Sequence, residues 1–297
     1  MFRIVFYPSY INVFVAINIA IPCSLNEEAT APSEAVRKIG YVGRAAAIFR
    51  VNKIYIYRFK SYEKCNEEAE RMRKILEYLV TPPYLRKDLF KIDPDLRLAG
   101  LLPPLNLPVF GPRGGEVKVG DVRVGLVVRW EGYYSIVKIG NDLYVRIPKP
   151  YPVKTRLVVS IDSTEGKYLR GHVVNPGKAY LGYSVEVIEL RDLLKLGNLI
   201  LTGREGRSIV DAYDRLVELI KGGANVVFGS AKRGVDEIFR EEGLEREFKE
   251  YMFINFIPGQ GVETVRTEEA IVAVLSIINL LNRIKLPGGN HRQPQVQ

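Results

Sequence analysis

The strongest constraint on the fold is an alternation of strand and helix signals that stops and later resumes. Over residues 12–90, "NVFVAINIAI" (12–21) reads as a strand and "PSEAVRKIGYVGRAAAIFR" (32–50) as a helix. "KIYIY" (53–57) is a second strand, and "YEKCNEEAERMRKILEYLV" (62–80) is an amphipathic helix with its acids early and its bases late. Ser33 is a candidate N-cap, and Val36, Ile39, Val42, Ala46 and Phe49 supply the apolar face of the first helix. Strands separated by helices commit a chain to a parallel sheet, because a crossover between parallel neighbours needs a dozen or more residues.

Near residue 92 the texture changes. "DPDLRLAGLLPPLNLPVFGPRGG" (93–115) is a proline- and glycine-rich crossing. Five short runs follow: "DVRVGLVVRW", "YYSIVKI", "LYVRIP", "RLVVSID" and "YLRGHVV". Their turn signals recur about every 8–12 residues, as in a small barrel or sandwich, and five strands suit an OB-like barrel. The α/β alternation returns with strands "GYSVEVIEL", "NLILTG", "NVVFGS" and "EYMFINFIP". Helices are expected over 207–223, 235–243 and 267–284. The expected fold class is therefore α/β, one domain split by an inserted barrel. Its halves are residues 12–91 and 179–286, the insert is 92–178, and 287–297 is a disordered tail.

Composition narrows the function. The 297 residues carry a formal net charge of +9, which points to a polyanionic partner, nucleic acid first. Between Arg113 and Lys178 stand twelve Lys/Arg and six Asp/Glu, so most of that excess lies in the insert. Trp130, Tyr133, Tyr134, Tyr144, Tyr151 and Tyr168 interleave with the charge, the pattern of a base-stacking surface over a basic groove. Arg123, Arg129, Trp130, Tyr133, Lys138, Tyr144 and Arg146 are the candidate RNA contacts. Alternatively, half of these rings fill the barrel core. Cys23 and Cys65 fit no metal motif and read as incidental thiols in a reducing compartment. His172 and His291 stand too far apart in sequence to suggest a metal centre or a histidine-based triad, so no metal is expected. The apolar N-terminus is broken by Pro8, Asn12 and Asn18, and no membrane span is expected; the chain reads as cytoplasmic.

Three strand–loop–helix junctions could hold a ligand: "LILTGREGRS" (199–208), "VVFGSAKRG" (226–234) and "NFIPGQGVETVRTEE" (255–269). Each starts at the C-terminal end of an expected parallel strand, where open α/β sheets bind ligands. None matches a phosphate loop, a dinucleotide fingerprint or a nucleophile elbow.

In that order these junctions resemble the three cofactor loops of SPOUT-class RNA methyltransferases. With "RAAAIFRVNKIYIY", "YLVTPPYLRKDLF" and "LAGLLPPL", the chain resembles an archaeal RNA methyltransferase family with an OB-like insert, over about residues 12–286. A eukaryotic relative of that family is associated with large-subunit ribosomal RNA and the mitotic spindle. The resemblance implies a SPOUT α/β trefoil-knot domain, bound S-adenosylmethionine and a homodimer. It implies a cofactor site from Thr202, Gly203, Gly206, Gly229, Ser230, Gly234, Asn255, Phe256, Ile257, Pro258, Gly259, Gln260, Gly261, Thr264 and Val265. Gly259 and Gly261 give the last loop room to turn, and Thr267 caps the next helix. Arg44, Arg204, Glu205 and Arg266 are the candidate catalytic residues. The expected function is S-adenosylmethionine-dependent methylation of RNA, most simply ribosomal RNA. The alternatives are a non-catalytic RNA-binding or ribosome-assembly factor with the same fold, and a single-strand binder acting through the barrel alone.

Overall fold

In the computed structural model, which describes residues 15–111, 116–166, 168–175, 177 and 179–283, six parallel strands form one sheet and five others close a barrel. The chain opens with β1 (Ile17–Pro22), α1 (Pro32–Ile48), β2 (Lys53–Arg58), α2 (Cys65–Val80) and α3 (Arg86–Leu89). The barrel follows as β3 (Val122–Glu131), β4 (Tyr134–Gly140), β5 (Leu143–Ile147), β6 (Arg156–Ser163) and β7 (Leu169–Val173). Then come β8 (Ser184–Glu189), α4 (Leu190–Leu193), β9 (Leu199–Ser208), α5 (Tyr213–Lys221), β10 (Ala224–Val227), α6 (Val235–Glu241), α7 (Glu245–Phe248), β11 (Met252–Asn255) and α8 (Thr267–Leu281).

The sheet order is β11-β9-β10-β1-β2-β8: from β1 the chain steps out to β2 and β8 on one side, then crosses to β9 on the other, returns to β10 beside β1 and goes out to β11 at the far edge. β1, β2 and β10 are nearly continuous apolar runs because helices cover both faces of a parallel sheet. After β11 the chain does not stay at that edge. It crosses the C-terminal ends of β9 and β10, and α8 packs on α1. Ile271, Val274, Leu275, Ile278 and Leu281 of α8 are buried, whereas Val272 and Leu280 are 44% and 58% exposed.

The barrel order is β3-β4-β5-β7-β6, with β5 and β7 parallel and every other pair antiparallel. Val127, Val137, Ile139, Val145, Ile147, Val159 and Ile161 fill it, so its core is aliphatic rather than aromatic. It is seated on the sheet by a second apolar cluster that includes Leu85, Leu107, Phe110, Val124 and Leu126. The Tyr84 hydroxyl donates to the Val124 carbonyl at 2.6 Å, Lys138 pairs with Asp88 at 2.6 Å, and Arg156 donates to the Thr81 hydroxyl at 3.2 Å. The crossing at 93–110 is not loose: Lys74 bridges Asp93 and Asp95 at 3.0 and 2.7 Å, and Arg44 donates to the Pro104 carbonyl.

Several local expectations are corrected. The first strand begins at Ile17, residues 1–14 lying outside the described residues as does the tail 287–297. α1 starts at Pro32 without a side-chain cap, so Ser33 is inside the helix. The helix expected from 207 begins at Tyr213, because Arg207 and Ser208 pair with β11 instead. Cys23 and Cys65 are not incidental thiols. They form a disulfide across 42 residues, tying the end of β1 to the start of α2, and both are buried.

Candidate active site

The site starts from a break in the sheet. β9 and β11 pair as Ile200–Met252 and Leu201–Phe253, and the next rung is Arg207–Ile254. Residues 202–206 of β9 therefore bulge out of the pairing with β11 before it resumes. The return requires Gly206, where a Cβ would stand 2.6–2.8 Å from the backbone of Ile254 and Asn255. Asn255 closes the structure by donating to the Arg204 carbonyl at 2.8 Å while its side-chain oxygen accepts from the Ile257 N–H at 2.9 Å.

The second loop leaves β10 at Phe228. The Tyr57 hydroxyl donates to the Phe228 carbonyl at 2.7 Å, and burial pushes that phenol far above its ordinary pKa. The Ser230 N–H donates to the Arg233 carbonyl at 2.8 Å, which turns the loop back into α6. Arg233 is fixed from outside by Glu27 at 3.0 Å and Glu241 at 2.8 Å. Burial opposes its charge, but those carboxylates outweigh the cost and hold its pKa above the ordinary value.

The third loop ends at α8. Thr267 is the first helical residue and not the cap; its buried hydroxyl donates to the Gly229 carbonyl at 2.8 Å and so ties the third loop to the second. The Glu269 carboxylate accepts from the Arg266 N–H at 3.0 Å at the helix start. Beneath lies a buried charge cluster, Lys38 with Glu28 and, at 3.8 Å, Glu268. Burial lowers the Lys38 pKa, with Glu268 opposing the shift. Of the two glycines expected to let this loop turn, only Gly259 has a positive φ, 74°; a Cβ on Gly261 would meet nothing.

Together the loops enclose a cavity of about 330 Å³. Thr202, Gly203, Gly229, Ser230, Gly234, Asn255, Phe256, Ile257, Gln260, Thr264 and Val265 line it, with Arg204 and Glu205. Gly206, Pro258, Gly259 and Gly261 do not; Gly206 instead packs against the β11 backbone. Neither do Arg44, on α1, nor Arg266, before α8. Arg204 is braced by Glu205 at 3.0 Å and by the Glu263 carbonyl at 3.0 Å. Sequence reasoning missed Lys232, Asp236, Glu237, Glu263 and Thr267 in the wall. Asp236 and Glu237 had a legible signal, two acids opening a helix directly after a glycine loop. Thr267→Val removes the donor to Gly229 while keeping the side-chain shape. We expect it to lower stability by about 1–2 kcal/mol, read by denaturant melts.

The proposed RNA contacts of the barrel divide. Arg123 is 3% exposed, lies against Gly111 and faces Asp121 at 3.3 Å, so it is an internal residue. Lys138 holds Asp88 and seats the barrel. The others share the far end of the β3–β4 hairpin and the adjoining strands. The Arg129 guanidinium lies 5.7 and 5.8 Å from the Tyr144 and Tyr168 rings, and that of Arg146 lies 3.6 Å from the Tyr134 ring. Trp130 and Tyr133 are 56% and 83% exposed. No helix among the described residues is long and apolar enough to cross a membrane, and no group of metal-ligating side chains occurs among them.

Residues 16–278 match the model of the family described as "Putative RNA methyltransferase". An uncharacterized protein of Halobacterium salinarum is 30% identical over 295 residues, covering 89% of this chain and 98% of that protein. The 28S rRNA (uridine-N(3))-methyltransferase of Homo sapiens is 27% identical over 302 residues, covering 88% of this chain and 77% of that one. The Drosophila melanogaster protein of the same name is 26% identical over 306 residues, covering 88% of this chain and 61% of its own length.

Proposed function

The chain belongs to this family of RNA methyltransferases, and we propose that it methylates RNA with S-adenosylmethionine held in the three-loop cavity. The observation that carries the reading is the convergence of three glycine-bearing loops from adjacent strand ends on one cavity. The lining fits such a group. The Gly229 N–H, the Ser230 carbonyl and the Phe256 backbone take no part in the bonds that shape the loops, and Phe228, Phe256, Ile257 and Val265 form an apolar wall. Glu205, Asp236, Glu237 and Glu263 bring carboxylates to its rim, favourable to a cationic sulfonium. When bound, S-adenosylmethionine supplies the methyl group. The crossing of 256–266 to α8 supports its being the threaded segment of a trefoil knot, and the barrel's strand order supports an OB-like insert between the two halves of a SPOUT domain.

The relatives' names suggest the substrate: uridine N3 in large-subunit ribosomal RNA. That nitrogen carries a proton which must leave when it is methylated, so a cation near the ring oxygens lowers the barrier. Arg204, which lines the cavity and is bonded to Glu205 and the Glu263 carbonyl, supports that reading, and the exposed Lys232 adds positive charge at the rim. Arg44 and Arg266 do not line this cavity. Exposed Tyr41 and Ile48 on α1 and Val272 and Leu280 on α8 suit a homodimer contact, through which those arginines would serve the partner's site.

Titration calorimetry with S-adenosylmethionine and S-adenosylhomocysteine tests the reading. We expect binding near one site per chain, and methyl incorporation into unmodified large-subunit rRNA transcript. A folded protein that binds neither compound would leave the rival reading, a non-catalytic RNA-binding factor acting through the barrel face.

A further inference from the structure

The barrel and the cavity sit at opposite edges of the sheet. Helices that join parallel strands run antiparallel to them, so α2 begins at the cavity edge and ends at the other. Its beginning is fixed there by the Cys23–Cys65 bond, and the Ser61 carbonyl just before it accepts from Arg233 of the second loop at 3.3 Å. Its end carries the barrel: Thr81, Tyr84 and Asp88 make the polar contacts that seat it. The 16 residues of α2 span about 24 Å. From the seated rung Leu126–Lys138 the β3–β4 ladder runs on to Glu131–Tyr134, about 17 Å further along the strands. Among the described residues, none of the barrel lines the cavity.

We infer that the arginine–tyrosine face of the barrel is a separate RNA anchor, remote from the methyl-transfer cavity of its own chain, so that one chain grips its RNA at two places. The inference rests on the RNA methyltransferase reading above. Its chemistry is that of unpaired bases. Arg146 lies over the Tyr134 ring, and Arg129 lies near the Tyr144 and Tyr168 rings, where it also donates to the Tyr168 hydroxyl at 2.8 Å and pairs with Glu131 at 3.2 Å; both arginines are exposed and bring positive charge to phosphates, while Trp130 and Tyr133 offer ring faces for stacking. Twenty-four ångströms corresponds to about seven stacked nucleotides at about 3.4 Å each. The substrate is therefore an RNA that presents unpaired bases to the barrel at least that far from the target nucleotide, or on a separate hairpin.

The test is photocrosslinking of the full chain, with S-adenosylmethionine, to a large-subunit rRNA transcript containing 4-thiouridine, with methyl incorporation counted in the same samples. Crosslinks to Trp130 or Tyr133 and crosslinks to residues 228–234 are expected on nucleotides about seven or more apart, or on different hairpins. Both sets on the same or adjacent nucleotides would overturn the inference, since the barrel would then close over a cavity, its own or that of a second copy. Absence of barrel crosslinks would also overturn it. Two separated sets without methylation would leave the anchor standing and remove the enzymatic reading. The double variant Arg129→Ala/Arg146→Ala is expected to weaken transcript binding about tenfold or more. An equal loss of S-adenosylhomocysteine affinity in that variant would overturn the separation of the two sites.

Discussion

Gly229→Ala is expected to reduce S-adenosylhomocysteine affinity by about fivefold to a hundredfold, while Gly261→Ala leaves it unchanged. A Cβ at 229 would stand 2.6 Å from the Arg233 carbonyl oxygen, 2.9 Å from the Val235 nitrogen and 3.0 Å from the Gly234 carbonyl carbon. All three are backbone atoms, so no side chain can swing aside. The loop must open, and opening it strains the Ser230–Arg233 turn and the Thr267 hydrogen bond to the Gly229 carbonyl. Such overpacking costs about 1–3 kcal/mol, which sets the range of affinity loss. At 261 a Cβ meets nothing, although the two glycines look alike in sequence. Calorimetry on the pair is the measurement. Wild-type affinity in Gly229→Ala would show that the second loop is not part of the cofactor wall.

Cys65→Ser is expected to lower stability by about 4 kcal/mol, the chain-entropy value for a closed loop of 42 residues. For a chain of this size that corresponds to roughly 5–10 °C in Tm. The serine oxygen keeps an acceptor where the Phe59 N–H meets Cys65 Sγ at 3.3 Å, so the change isolates the covalent bond. The bond also bears on the cavity. Cys23 precedes Ser24 and Glu27, the partners of Ser230 and Arg233, so the wall of the second loop loses part of its support with it. Thermal melts of the variant against the oxidised protein, with thiol counts on both, decide the matter. Two free thiols in the native protein and an unchanged Tm would contradict the pairing.

The three loops that meet at the cavity could be recognised in the sequence because glycines and a terminating strand occupy the same few residues. The internal shape of the first loop could not. "LILTGREGRS" reads as a strand, a glycine loop and the start of a helix, yet Arg207 and Ser208 return to the sheet beside β11, whose residues lie 47 positions further on. The basic insert was likewise legible as a charged, aromatic barrel, but charge alone did not separate its surface from its seams. Arg123 and Lys138 resemble Arg129 and Arg146 in sequence. One is covered by the Gly111 backbone and the other is engaged by Asp88, and both neighbours come from the crossing and helices before the barrel.

Sequence by itself determined the parallel sheet, the inserted five-stranded barrel and the three strand ends whose loops meet at the cavity. Those follow from local periodicity and turn chemistry, which act over a few residues. Tertiary structure alone decided which glycine admits no side chain, that Thr267 serves Gly229 rather than its own helix, that the two cysteines meet, and that the barrel lies at the sheet edge away from the cavity. The threonine and cysteine contacts span 38 and 42 positions, and even Gly229, only four to six positions from the atoms that crowd it, is closed in by a loop folded back on itself. Each of these is a tertiary arrangement. Its geometry is set by how the elements pack, and packing leaves no periodic trace along the chain.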